Sequence, residues 1–128
     1  TVYCVFISLG FASIENLIAI LSNSGGFALA LQRGLITVPA HAFFGIISGY
    51  YLGLAKKYEA RRWNKRKRKY IILSLLIPII VHGMFDSLLF LSSTASLLFA
   101  TALIVYLYLS SALKVVKTSS EAKKITRR

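Results

Sequence analysis

Apolar residues fill four long stretches of this 128-residue chain, and polar residues gather between them. Val2–Leu21 is twenty residues long and carries one charge, Glu15. Leu35–Ala55 is twenty-one residues with no formal charge and one histidine, His41. Ile71–Leu91 is twenty-one residues and holds His82 and Asp86. Ser96–Leu113 is eighteen residues with neither a charge nor a histidine, so packing is its expected role. A helix rises about 1.5 Å per residue, so each stretch can cross roughly 30 Å of hydrocarbon. The pattern predicts an all-α fold, a polytopic membrane helix bundle of about four transmembrane helices, forming a single domain over residues 1–128.

The connectors fit this reading. Ser22-Asn23-Ser24-Gly25-Gly26 is a turn signal. Phe27–Gly34 is too short to span and is expected to lie at the interface or dip into it. Pro39 suits the first turn of a helix, where its missing N–H does no harm. Ser92-Ser93-Thr94 is a tight link between the third and fourth spans. Tyr58, Trp63 and Tyr70 flank a basic segment, where interfacial aromatics are expected.

Composition sharpens the class. Hydrophobic residues make up 56% and charged residues only 16%, with a mean hydropathy of +0.67. Soluble domains carry about 25% charged residues. The net charge of +12 is concentrated in two patches: nine of sixteen cationic residues lie in 56–69 and six in 114–128. Arg33 is the remaining one. In a soluble protein a pI near 10.2 would suggest nucleic acid. Here the excess of Lys and Arg in short loops explains it, and no nucleic-acid partner is expected. The basic loop 56–69 and the tail 114–128 are expected in the cytoplasm, with the loop against anionic lipid heads of the plasma membrane. The connectors 22–34 and 92–95 are then outside, and both basic segments fall on one side. Cys4 stands alone, so no internal disulfide can form. The chain begins at Thr1 and not at Met, so it reads as the C-terminal part of a larger bundle.

Four groups do not belong in oil: Glu15, His41, His82 and Asp86. A charge near the bilayer centre costs about 2.5 kcal/mol or more, so such residues face a protein interior or a watery cavity. By helical rise all four fall in one slab less than about 10 Å thick, on the outer half of the membrane. His82 and Asp86, at i and i+4, share a helix face. His41 shares its face with Gly45, Gly49 and Gly53, a strip of small residues that lets helix backbones approach closely. Ser8, Ala12, Glu15 and Ala19 form a small, polar face of the first span, with Asn16 beside it. Pro78, four residues before His82, is expected to kink the third span. Two imidazoles and two carboxylates are a ligand set suited to a hydrolytic metal centre. They also suit a proton or ion pathway, as in a coupled transporter. A non-catalytic membrane adaptor, with these groups as structural glue, is the third reading.

Three segments resemble a known family. Gly10-Phe11-Ala12-Ser13-Ile14-Glu15-Asn16 resembles the G-F-A-x-x-E-N motif of the PrsW family of intramembrane proteases. Arg33, Pro39, His41-Ala42 and Gly45–Gly53 resemble its next block, and Val81-His82-Gly83-Met84-Phe85-Asp86 resembles its final H-x-x-x-D motif. The wider superfamily includes CAAX prenyl endopeptidases and bacteriocin-processing membrane proteins. The resemblance implies a peptidase that cleaves a membrane-anchored substrate, such as an anti-sigma factor, within or near the bilayer. It implies that Glu15, His41 and His82 are ligands of a metal, expected to be Zn2+, or of catalytic water. Asp86 would be a further ligand or an orienting group. A metal-free Glu–His pair activating water is the alternative chemistry. The family's upstream E-E-x-x-K pair has no counterpart here, since the acidic residues are Glu15, Glu59, Asp86 and Glu121. A second copy of the chain, or an upstream fragment of the same protein, is an expected partner.

Overall fold

The computed structural model describes residues 1–91 and 93–126, with side chains up to Ser120. Ser92 of the expected link, and Arg127 and Arg128 at the end of the basic tail, lie outside the described residues. The chain forms four helices: α1 (Val2–Ser22), α2 (Gly26–Ala60), α3 (Asn64–Leu91) and α4 (Thr94–Thr126). Each contains a stretch long and apolar enough to cross a membrane. No strand occurs among the described residues.

Helix α2 is the axis of the bundle. It packs against all three other helices, whereas among the described residues the backbone of α1 comes close to that of α2 alone. The core joins Ala40, Phe44 and Ile47 of α2 to Phe85 of α3 and Ala100 and Leu107 of α4. The fourth span thus packs as its composition suggests.

Two boundaries differ from the sequence reading. Phe27–Gly34 is not a separate interfacial segment but the opening turns of α2. A hydropathy window ends near the thickness of the bilayer, while a helix continues for as long as its backbone bonds are made. Pro39 therefore sits inside α2 and not at its start. Pro lacks the N–H that would bond the Leu35 carbonyl, a loss that buried helices tolerate when neighbours supply other partners. The turn before α2 is real: Gly26 takes φ 54°, the left-handed region that glycine enters without penalty.

The basic segment is likewise mostly helical, with α2 ending at Ala60 and α3 starting at Asn64. The Arg62 N–H bonds the Glu59 carbonyl at 2.9 Å, and the Trp63 N–H bonds the Tyr58 carbonyl at 3.0 Å. This 5→2 and 6→1 pair is a Schellman closure. Arg62 occupies its left-handed position at φ 56°, where glycine is usual. The Trp63 ring stacks on Tyr58 at 5.7 Å, and Tyr58 stacks on Tyr70 at 5.2 Å. The Arg66 guanidinium lies 4.6 Å from the Trp63 ring centre, and Lys67 pairs with Glu59.

Candidate metal centre

Helices α1 and α2 run antiparallel, and their contact is built from small and polar residues. A Cβ placed on Gly45 would come within 2.6 Å of the Val5 Cα, so only glycine permits this approach. Gly49 meets Thr1 in the same way. At Gly53 the space is open, so the close approach ends one turn before the strip does. Further along, the Ser8 hydroxyl donates to the His41 carbonyl at 2.7 Å. Ala12 is buried, and one turn later Glu15 and Asn16 reach α2. The small, polar face read from the sequence is the face that docks.

This docking brings Glu15 to His41. The His41 Nε2 lies 3.1 Å from the Glu15 Oε2. The His82 Nε2, from α3, lies 3.9 Å from the same oxygen. The two imidazole centroids are 4.9 Å apart. One ligand atom from each of Glu15, His41 and His82 falls within 4.8 Å of the others. One turn on, the Asp86 Oδ2 lies 3.0 Å from the His82 Nε2. Three helices therefore supply the four groups that the sequence singled out, and all four meet.

Phe11 and Phe44 bracket the imidazole pair. The Phe11 ring centre is 5.8 Å from His41 and 5.9 Å from His82, and that of Phe44 is 5.5 and 5.4 Å from them. Phe44 and His41 are buried, while Phe11 is exposed. Asp86 is the most open of the four polar groups, its side chain 44% exposed.

Three neighbours complete the site: Arg33 and Asn16, which lie in the segments that resemble the family, and Thr37, which the sequence did not single out. The Arg33 Nη2 donates to the Glu15 Oε1 at 3.1 Å, and its Nε donates to the Asn16 Oδ1 at 2.7 Å. The Thr37 hydroxyl reaches the same Asn16 oxygen at 3.1 Å. The signal for Arg33 was its isolation, as the lone cation outside the two basic patches.

The donor set suits a metal ion. Glu15 Oε2 is buried and no hydrogen bond reaches it, although two imidazole nitrogens converge on it. A carboxylate oxygen placed between two imidazole nitrogens is suited to share a cation with them. Two imidazoles and a carboxylate, with room for water, form the ligand set of catalytic zinc sites.

Four apolar spans, three of which bring together a partly buried His–His–Glu cluster, define an integral membrane protein with a candidate metal centre among its helices. Residues 1–113 match the profile of the PrsW family of intramembrane metalloproteases, and the chain belongs to that family. Protease PrsW of Clostridioides difficile (strain 630) is 34% identical over 126 residues, which is 97% of this chain and 52% of the relative. Protease PrsW of Halalkalibacterium halodurans is 42% identical over 92 residues, covering 72% of this chain and 40% of the relative. That of Bacillus subtilis (strain 168) is 39% identical over 88 residues, covering 69% of this chain and 38% of the relative. The chain thus spans about half, or less, of the length of these curated relatives. No solved structure gives a significant match.

Proposed function

We propose that the chain carries the metal-binding part of an intramembrane protease that hydrolyses a peptide bond in a membrane-anchored substrate, such as an anti-sigma factor. The observation that carries this reading is the orphaned Glu15 Oε2 between His41 and His82. The relatives' designation as proteases supports the reaction class.

Glu15, His41 and His82 would hold the ion, and the mixed nitrogen and oxygen donors suit Zn2+. When bound, such an ion supplies Lewis acidity for the scissile carbonyl and for the attacking water. The chain's own groups do the rest. Orienting carboxylates hold a ligating imidazole by its other ring nitrogen. Asp86 instead faces Nε2, the nitrogen turned toward Glu15, so its carboxylate would be within reach of water drawn to a cation held there. Its carboxylate takes the water's proton as the oxygen adds to the carbonyl, then passes that proton to the leaving amine nitrogen. Phe11 and Phe44 keep the imidazoles in an apolar collar that strengthens each of these electrostatic contacts.

The positive-inside rule supports a cytoplasmic α2–α3 turn and C-terminus, with the turn's cations against anionic lipid heads. The reaction centre then lies in the outer half of the membrane.

The test is cleavage of a membrane-anchored reporter by the His41→Ala and His82→Ala variants, with folding followed separately. Both variants should lose turnover, and a chelator should abolish it in the parent protein. Full turnover in both variants would end this reading. Proton flux in liposomes without proteolysis would replace it with the relay that the Asp86–His82–Glu15–His41 contacts also resemble.

A further inference from the structure

Arg33 stands eight residues before His41, more than two turns away along α2, yet it touches the candidate centre through Glu15. Its two bonds leave from neighbouring donors of the guanidinium, Nε and Nη2, and land on consecutive α1 residues, Asn16 and Glu15. The Thr37 hydroxyl, one turn on in α2, lies between the same Asn16 oxygen and the Arg33 carbonyl, with its single proton shared between them. The result is a bracket that fixes where along α1 the Glu15 side chain emerges. It also divides the two carboxylate oxygens. Oε1 is engaged by Arg33, and Oε2 is left free to face the imidazoles.

A charge-balancing role alone does not require this geometry. Any cation near Glu15 would offset its charge in a low-dielectric setting. A planar fork with two neighbouring donors in fixed geometry does more, because it restricts the carboxylate's rotation, whereas an ammonium's rotatable donors on a flexible stem impose no such orientation. The surroundings make the restriction consequential. Among the described residues the backbone of α1 comes close to that of α2 alone, and Glu15 is the α1 member of the Glu15–His41–His82 group.

We infer that Arg33 is a positioning residue: its fork, anchored on Asn16, holds the Glu15 carboxylate with Oε2 turned to His41 and His82, so cation affinity depends on the fork's shape as well as its charge. This rests on reading Glu15, His41 and His82 as a metal site. Groups that orient metal ligands typically change affinity by about 10- to 100-fold when removed.

The experiment is titration of the purified, detergent-solubilised chain with Co2+, following the visible absorption of the ion in its protein site. Three proteins are compared: the parent, Arg33→Lys, which keeps the charge but not the fork, and Asn16→Ala, which keeps the ion pair but removes its second anchor. Thermal unfolding without metal is recorded for each. The expected result is saturable binding in the parent, at least about tenfold weaker binding in both variants, and an altered absorption envelope in Arg33→Lys. Parent-like affinity and spectrum in both folded variants would overturn the inference and leave the metal reading standing. No Co2+ binding by the parent would overturn both. Should Arg33→Lys fail to fold, Asn16→Ala decides, since it leaves the Arg33–Glu15 pair in place.

Discussion

The two ends of α2 handle charge in opposite ways. Toward its N-terminus, the lone Arg33 is matched to Glu15 and Asn16, and each polar group has a specific partner or faces the His41–His82 pair. Toward its C-terminus, nine cationic residues lie within 56–69, from the end of α2 into the start of α3, beside a single acid, Glu59, which pairs with Lys67. Order there comes from stacking: Tyr58 lies on Trp63 and on Tyr70, and Arg66 covers Trp63. A charge that is to be kept within a membrane span must be matched individually, because lipid does not screen it. A charge at the headgroup level is solvated and needs only an anchor nearby. On the proposed reading, one end serves chemistry and the other placement.

Substitutions can break this contrast. Asp86→Asn should lower reporter cleavage by about 10^2- to 10^4-fold while leaving the chain folded, the usual loss when a proton-transfer group is removed. Replacing Tyr58 by Leu at the opposite end should leave cleavage at the parent rate. Equal losses from the two would mean that the ends are not functionally distinct.

A smaller effect separates positions within the glycine strip. Gly45→Ala sets a Cβ against the Val5 backbone, so α1 must move, at a cost of about 1–3 kcal/mol in unfolding free energy. Gly53→Ala meets open space and should stabilise by about 0.5–1 kcal/mol, since alanine is the better helix former. Denaturant titration in mixed micelles measures both, and a destabilising Gly53→Ala would show that the strip packs along its full length.

The smallest effect is at the turn. Arg62 pays for a left-handed backbone that glycine adopts freely. Arg62→Gly should raise stability by about 1 kcal/mol and leave cleavage unaltered. A drop in stability would show that the Arg62 side chain contributes more than its backbone costs.

Much of the site was legible because its residues are anomalous in their setting. Glu15, His41, His82 and Asp86 stand out in apolar spans, and helical spacing placed them on docking faces. The face Ser8–Ala12–Glu15 predicted the α1 contact that Ser8 and Gly45 now define. The bracket was legible only in part: Arg33 and Asn16 stood in the resembling segments, but Thr37 and the shared face did not show. Arg33 lay in a connector because the span was ended at bilayer thickness, and the true helix begins at Gly26. Once those turns are helical, Arg33 and Thr37 share a face and Asn16 finds them both. The turn at Arg62 was hidden for a different reason: its left-handed position is normally marked by glycine, and here an arginine fills it.

The most direct measurement is X-ray absorption of the purified chain loaded with Zn2+, with bound metal counted per chain. The account predicts one ion with a first shell of nitrogen and oxygen at about 2.0–2.2 Å, imidazole scattering from two histidines and no sulfur. The His41→Ala/His82→Ala double variant should bind none. Undiminished metal in that variant, or a shell without imidazole in the parent, would contradict the claim that Glu15, His41 and His82 form a metal centre.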